Sequence, residues 1–429
     1  WNFGADGIVG PHHEKEGSFY TIKQLWSPVQ IMNTSVDKQF DGKFSVENRY
    51  DYLNLNTCRF LWKQVKFPTA TDASNTTAQV LKQGEVQGSD VAAHSAGVLD
   101  IKTTILPDAD ALFLTAIDRY GHELWRWTFP VNKLNQANEV LSPLSNKVTS
   151  TETENELTVK AKNHTFIFSK KDGQLKGVSV NNRKISFANG PRFIGARRAD
   201  RSLDQFYNHD DEKAKEKDRT YSEFPDAAVF TKLDVKEDGG NLIVTANYKL
   251  GNLDKAQWTI NPSGEAVLDY TYNFSGVVDL MGICFDYPED QVISKRWLGA
   301  GPYSVWQNRI HGTQYDVWEN DYNDPIPGET FTYPEFKGYF GSVSWMNIRT
   351  KEGTISLTNE TPDAYIGVYQ PRDGRDRLLY TLPESGISVL NVIPPVRNKV
   401  NSTDLCGPSS QPKWVNGPQS GRIIFRFME

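Results

Sequence analysis

The apolar positions of this chain recur mostly every second residue, in short runs broken by turn residues. In GKFSVENRYDYL, Phe44, Val46 and Tyr50 alternate with polar neighbours, and CRFLWKQVKF follows in the same style. Alternation of this kind predicts half-buried strands. ALFLTAIDRYGHELWRWTFPV reads as a hairpin with Tyr120-Gly121 at its turn. About seven strands are expected between residues 30 and 131, with turns every 8–12 residues. That is the pattern of an immunoglobulin-like sandwich.

The stretch Asn132–Glu156 is rich in Asn, Ser and Thr and reads as a linker. Beyond it the alternation resumes. Asp172-Gly173 and Asn181-Asn182 are turn dipeptides flanked by alternating apolar residues, which predicts two hairpins. NLIVTANYKL, AQWTINPSGEAVLDYTYNF, TISLTNE and GRIIFRF extend a long antiparallel series. No segment keeps a 3.6-residue period over a dozen positions. The one near-helical spacing, Phe19, Ile22 and Trp26, ends at Pro28. The expected class is therefore all-β. The expected divisions are a leading segment 1–28, a sandwich 29–131, a linker 132–155 and a large antiparallel domain 156–429, built as two stacked sheets.

Composition removes several alternatives. Among 429 residues the net charge is -6, which offers phosphate no basic surface, so no nucleic-acid partner is expected. No run reaches the ~20 apolar residues of a membrane-spanning helix, so no membrane partner is expected. The three cysteines, Cys58, Cys284 and Cys406, are too scattered for a metal knuckle, and they leave the compartment open. Aromatic residues make up 12% of the chain. Most such rings pack cores, but exposed ones form platforms for sugar rings.

Three patches in the second domain concentrate polar and aromatic groups: GPRFIGARRADRSLDQ (190–205), WLGAGPYSVWQNRIHGTQYDVW (297–318) and YPEFKGYFGSVSWMNIR (333–349). Gly299 and Gly301 form a Gly-x-Gly, but no strand–helix unit surrounds it, so a nucleotide loop is excluded. Arg197, Arg198, Asp200, Arg201 and Asp204 fit either hydrogen bonding to a ligand or a salt-bridged loop.

In this order the patches resemble the C-terminal domain of family 2 glycoside hydrolases of β-galactosidase type. WLGAGPYSVWQNR resembles that family's W-x-G-x-G-P-x-E-x-Y-x-D-R signature, and YPEFKG its Y-P-x-x-x-G element. GPRFIGARRAD stands where the family has an R-x-x-x-D-N-D-type loop. GADGIVGPHHEKEGSFYTIKQLWSPV resembles the segment joining the catalytic barrel to the next sandwich. The resemblance implies a galactose-mutarotase-like super-sandwich for the second domain. It also implies a missing catalytic barrel as partner, carbohydrate as ligand, and homo-oligomer contacts. Sugar-binding candidates under this resemblance are Trp414, Arg197, Asp200, Trp297, Arg309 and Phe3, with Trp414 in the place of a Trp that reaches toward the sugar. Asp6 falls near a cation site, which implies a Na, Mg or Ca ion in the intact enzyme and no other cofactor.

Departures are equally specific. Ser304 and Val305 replace the acidic middle of the signature, Asn308 replaces its Asp, and Arg201 follows Asp200 where the D-N-D loop has its second Asp/Asn. They leave open whether a β-galactoside or a plant or host polysaccharide is the substrate. Retaining glycoside hydrolysis needs two carboxylates about 5–5.5 Å apart, and in this family both are barrel glutamates. Glu319, Asp321 and Asp324 are expected in a loop and not as catalysts, so the chain is expected to be inactive alone. The competing expectation is a free-standing carbohydrate-binding or assembly module.

Overall fold

The computed structural model describes residues 8–9, 13, 15, 17–72, 77–131, 147–198, 221–321, 338–368, 383, 385–395 and 407–429. Alternating side chains dictate most of what is seen there. In the segment Lys43–Asn48, Phe44, Val46 and Asn48 are buried and their neighbours are not fully so. In Ala266–Val278, Ala266, Leu268, Tyr270, Tyr272 and Phe274 are buried while the residues between them face outward. Such alternation lets each sheet cover a core on one face.

The first domain follows a single helix, α1 (Gly17–Leu25). Its strands are β1 (Val29–Ile31), β2 (Lys43–Asn48), β3 (Arg59–Lys66), β4 (Gln79–Gln87), β5 (Ser95–Asp100), β6 (Ala111–Ile117) and β7 (Glu123–Pro130). They form two antiparallel sheets, ordered β1-β2-β5 and β4-β3-β6-β7. Phe44, Phe60, Leu99, Leu112 and Leu114 fill the space between them. Gly121, at φ 88°, supplies the left-handed residue of the β6–β7 turn.

The second domain is two larger sheets. One contains β8 (Thr149–Glu152), β9 (Glu156–Ala161), β10 (His164–Ser169), β11 (Leu175–Val180), β12 (Arg183–Ile185), β13 (Ala188–Arg198) and β14 (Tyr221–Glu223). β19 (Leu280–Asp286), β24 (Tyr365–Val368) and β25 (Ile387–Val392) complete it. Its main path is β24-β25-β19-β13-β11-β10-β9-β8. The other sheet contains β15 (Val229–Asp238), β16 (Asn241–Lys249), β17 (Leu253–Ile260), β18 (Ala266–Val278) and β20 (Val292–Gly301). β21 (Gln314–Asp321), β22 (Trp345–Thr350), β23 (Gly353–Asn359) and β26 (Lys413–Met428) finish it, in the order β15-β16-β17-β18-β26-β23-β22-β20-β21. The expected antiparallel super-sandwich is thus present.

Aromatic rings dominate the core between these sheets. Phe285 stacks on Phe187 at 4.5 Å and meets Phe425 at 5.5 Å and Trp258 at 6.1 Å, so the two sheets share one ring cluster. At the sheets' edge Glu352 accepts from the backbone N–H of Ser186 at 2.9 Å, from its hydroxyl at 2.6 Å and from the Tyr287 hydroxyl at 3.1 Å.

The two domains meet on a small apolar seam. Val65, Phe67, Ala111 and Phe113 of the first pack against Leu298 and Trp345 of the second. Trp345 Nε1 donates to Pro68 O at 3.1 Å, and Asn347 Nδ2 to Ala70 O at 2.8 Å. Arg126 lies over the Phe113 ring at 4.7 Å and pairs with Asp316 at 3.0 Å. Burial pushes the Asp316 carboxyl up, against the pull of Arg126, so this ion pair gives back much of its attraction as desolvation.

Two expectations change here. Thr149–Glu152 lies inside the span expected to be linker, yet pairs with β9 over four residues. All four of its side chains are exposed, so backbone pairing, which leaves no apolar signature, makes this an edge strand. Glu319 and Asp321 stand on a strand and not in a loop, because Gln314–Asp321 pairs with β20 throughout. Asp324 lies outside the described residues.

Phe285→Ala removes the ring at the centre of the cluster and is expected to cost about 3–5 kcal/mol. Chemical denaturation monitored by tryptophan fluorescence measures this. A loss of less than about 1 kcal/mol would show that the site collapses without a cavity.

Candidate functional site

Strand β20 ends at Gly301, and the chain then crosses the outer face of the other sheet before returning as β21. Gly301 is required by a close approach: a Cβ there would lie 2.4 Å from Cδ1 of Trp318. The Gly-x-Gly of the sequence therefore serves close packing, Gly301 against the Trp318 ring and Gly299 against the backbone of residues 341–343. Trp297, on the strand itself, is fully buried and donates from Nε1 to Ala300 O at 2.9 Å. It meets Phe340 edge-on at 4.8 Å. Its ring belongs to the core and offers no face to a sugar.

The crossing segment is fixed by Trp306, which is 1% exposed. Together with Val305 and Tyr339 it covers Ile194, Ala196, Leu280, Leu390 and Ile393. Val305 and Tyr339 exchange both backbone hydrogen bonds, at 2.7 and 2.8 Å, and the rings of Trp306 and Tyr339 meet edge-on at 5.6 Å. Gly338 N donates to Ser304 Oγ at 3.0 Å. Arg309 N donates to Trp306 O at 2.9 Å, closing a tight turn.

That turn presents two amides to the start of the last strand. Gln307 Nε2 donates to Gln411 O at 2.7 Å, and Asn308 Nδ2 to Ser410 Oγ at 3.0 Å. Gln307 N donates to Pro394 O at 3.0 Å. Three residues past Gln411, Trp414 lies opposite Val277 in the β18–β26 pair with 71% of its surface exposed. Asp279, just past the end of β18, donates its N–H to Ala196 O at 2.9 Å, next to the half-buried Arg197. Parts of all three sequence patches and the segment around Trp414 thus converge on one end of the second domain.

Helix α1 docks on the same end. Tyr20 and Tyr303 lie 5.0 Å apart, Thr21 Oγ1 donates to His311 O at 2.9 Å, and Gly312 N donates to Gln24 Oε1 at 2.6 Å. Burial, followed by Tyr20 beside it, pushes the Tyr303 hydroxyl well above its ordinary value. Lys23 of the helix also pairs with Glu123 of β7 at 2.8 Å. The helix therefore bridges both domains. Its near-helical Phe19, Ile22 and Trp26 do not mark a core face: no residue of α1 is fully buried, and Trp26 is 79% exposed.

Of the residues singled out in the sequence, the structure brings Arg197, Arg309 and Trp414 to this end and assigns Trp297 to the core. Phe3, Asp6 and Asp200 lie outside the described residues. Gln307, Ser410 and Gln411 have no local signal in the sequence, being uncharged amides and a hydroxyl, and Asn308 stands out there only as a departure from the signature. Among the described residues no group of three His, Cys, Asp or Glu is placed to hold a metal ion, and no helix is long and apolar enough to cross a membrane. Amides, hydroxyls and an indole face can hold a polyol, but none of them is a proton-transfer group near neutral pH.

A family model described as beta galactosidase small chain matches residues 160–392, more than half of the chain. The chain belongs to the β-galactosidase small-chain family. The match takes in the Trp297–Arg309 signature and most of both large sheets. Among solved structures, this small-chain protein is similar to the galactose 1-epimerase of Lactobacillus acidophilus NCFM. The two are 10% identical, with 66% of this chain and 99% of that chain covered and a TM-score of 0.34. It is also similar to YeaD of Salmonella typhimurium, with 10% identity, 66% and 94% coverage and a TM-score of 0.30. No curated protein sequence matches the small-chain protein.

Gly312, at φ 86°, is the hinge point of the helix docking, since a Cβ there would lie 2.6 Å from Thr21 N. Gly312→Ala is expected to unseat α1 while leaving both sandwiches folded. Limited proteolysis should then cut at Lys15 and Lys23 at least several-fold faster, with an unchanged circular dichroism spectrum. Equal cleavage rates would contradict the docking.

Proposed function

We propose that this chain is the non-catalytic C-terminal part of a family 2 glycoside hydrolase of β-galactosidase type, acting on terminal β-galactosyl or related sugars. On this reading its first domain is immunoglobulin-like and its second galactose-mutarotase-like. The Trp414 end adjoins a catalytic barrel that supplies the two carboxylates of retaining hydrolysis. The observation that carries the reading is the exposure of Trp414 on a strand start that Gln307 and Asn308 brace. A large exposed aromatic on a rigid support is suited to stacking against the CH face of a pyranose. Helix α1, docked beside it on Tyr303, is the natural approach path for a preceding barrel.

The residues of this chain then bind and orient. The indole face packs on the ring and excludes water from one side, while the supporting amides keep it from turning away. Arg197, and Asp200 with it, would hydrogen-bond sugar hydroxyls. Phe3 and Asp6 would line the barrel side, Asp6 as a ligand of a hard cation.

In protein carrying the barrel, Trp414→Ala is expected to raise KM for a nitrophenyl-β-galactoside about 3–10-fold, with a smaller change in kcat. The 429-residue chain alone should show no turnover. Turnover by the chain alone, or an unchanged KM in the variant, would contradict the reading. Sugar binding by the isolated chain that depends on Trp414 would instead favour a free-standing carbohydrate-binding module.

A further inference from the structure

The strand that ends the nine-stranded sheet has one open edge. β15 pairs with β16 along one side, and among the described residues no strand pairs with the other. It runs for ten residues. The other strands that end the two large sheets are shorter or covered: β8 and β24 have four residues each, and β21 is held to β7 by the Arg126–Asp316 pair. An open edge of that length is a template for a further strand.

The direction of its free backbone groups follows from the turn. Gly239 and Gly240 both take positive φ, 56° and 90°, so β15 and β16 are joined by a two-residue turn whose flanking pair, Asp238 and Asn241, is hydrogen-bonded. Backbone direction alternates along a strand, so Lys232, Asp234, Lys236 and Asp238 spend their N–H and C=O groups on β16. Leu233, Val235 and Glu237 aim theirs at the open edge. The side chains divide in the same way. Leu233 and Val235 are half-buried against the core, while Lys232, Asp234, Lys236 and Asp238 are exposed on the outer face and alternate in sign. Asp234 is held by Lys232 at 2.8 Å and by Asn247 Nδ2 at 3.1 Å, yet its side chain remains 51% exposed.

We propose that β15 pairs antiparallel with β15 of a second copy of this chain, about a two-fold axis at Val235. In that register Asp234 faces Lys236 and Lys232 faces Asp238, once on each side of the axis, so every one of these exposed charges meets an opposite one. The two Val235 residues exchange both of their free backbone hydrogen bonds, and each Leu233 does so with Glu237 of the other copy. The core faces of the two sheets become continuous. Moving the axis to Asp234 or Lys236 sets that residue against its own like charge. Moving it to Leu233 or Glu237 keeps only half of the opposite-charge pairs. A strand with charges of one sign would repel its copy; alternation of sign bars the neighbouring registers and admits this one. This self-complementarity makes a second copy the occupant, in a closed two-fold contact. The inference does not rest on the role proposed for Trp414.

Sedimentation velocity of the full chain over a series of concentrations tests it. The parent should be in monomer–dimer equilibrium, shifted toward monomer by added salt. Each single charge change alters two contacts across the axis, so Asp234→Lys and Lys236→Asp should each weaken the dimer about tenfold or more. The two changes together should restore most of it. Val235→Pro should abolish the dimer with an unchanged circular dichroism spectrum, since the N–H it removes is not used on β16. A parent that stays monomeric at ~0.1 mM overturns the proposal. So do a dimer that either single charge variant leaves intact, and a double variant that associates no more tightly than the single ones.

Discussion

The burial of Trp306 is the contact on which the far end of this molecule depends. The loop that carries it leaves one large sheet and crosses the other, and the Val305–Tyr339 backbone pair holds it beside the indole. Removing a large apolar side chain from water is worth roughly 2–3 kcal/mol, and here it also covers Ile194, Ala196 and Leu280 on a face that the sandwich core does not reach. With the indole seated, the turn from Trp306 to Arg309 has a fixed position. Gln307 and Asn308 can then hold Gln411 and Ser410 at hydrogen-bond distance. Support passes from a buried ring, through two amides, to an exposed one.

The same logic explains why two domains behave as one frame around that end. The seam of Phe67, Phe113, Leu298 and Trp345 is small, and its ion pair between Arg126 and Asp316 is weakened by the cost of burying the carboxylate. Helix α1 adds a second connection, tied to Glu123 on one side and to the loop around Gly312 on the other. Two separated contacts resist rotation in a way that one seam cannot. The helix is marginal by itself, being only nine residues long, so it owes its order to these docking contacts.

Local signals in the sequence were enough for the strands and hairpins. Asn181 and Asn182 both take positive φ, 47° and 64°, as the turn between β11 and β12 requires, and that chemistry is visible in two adjacent letters. Edge strand β8 was not visible, because its side chains are all exposed and its pairing uses only backbone. At the candidate site the limit is sharper. Trp297, Trp306 and Trp414 are the same residue, two of them nine apart in one signature, yet their exposures are 0%, 1% and 71%. Which ring faces solvent is decided by strands distant in sequence: Phe340 covers Trp297, Ile194 and Ala196 lie under Trp306, and Val277 stands opposite Trp414.

The most direct measurement is amide hydrogen exchange on Trp306→Ala. If the buried indole supports the whole end of the domain, exchange should speed up together in residues 303–309 and at Gly407, Ser410 and Gln411, with β16 and β17 unchanged. Faster exchange confined to 303–309, leaving the approach to Trp414 as protected as before, would contradict the account.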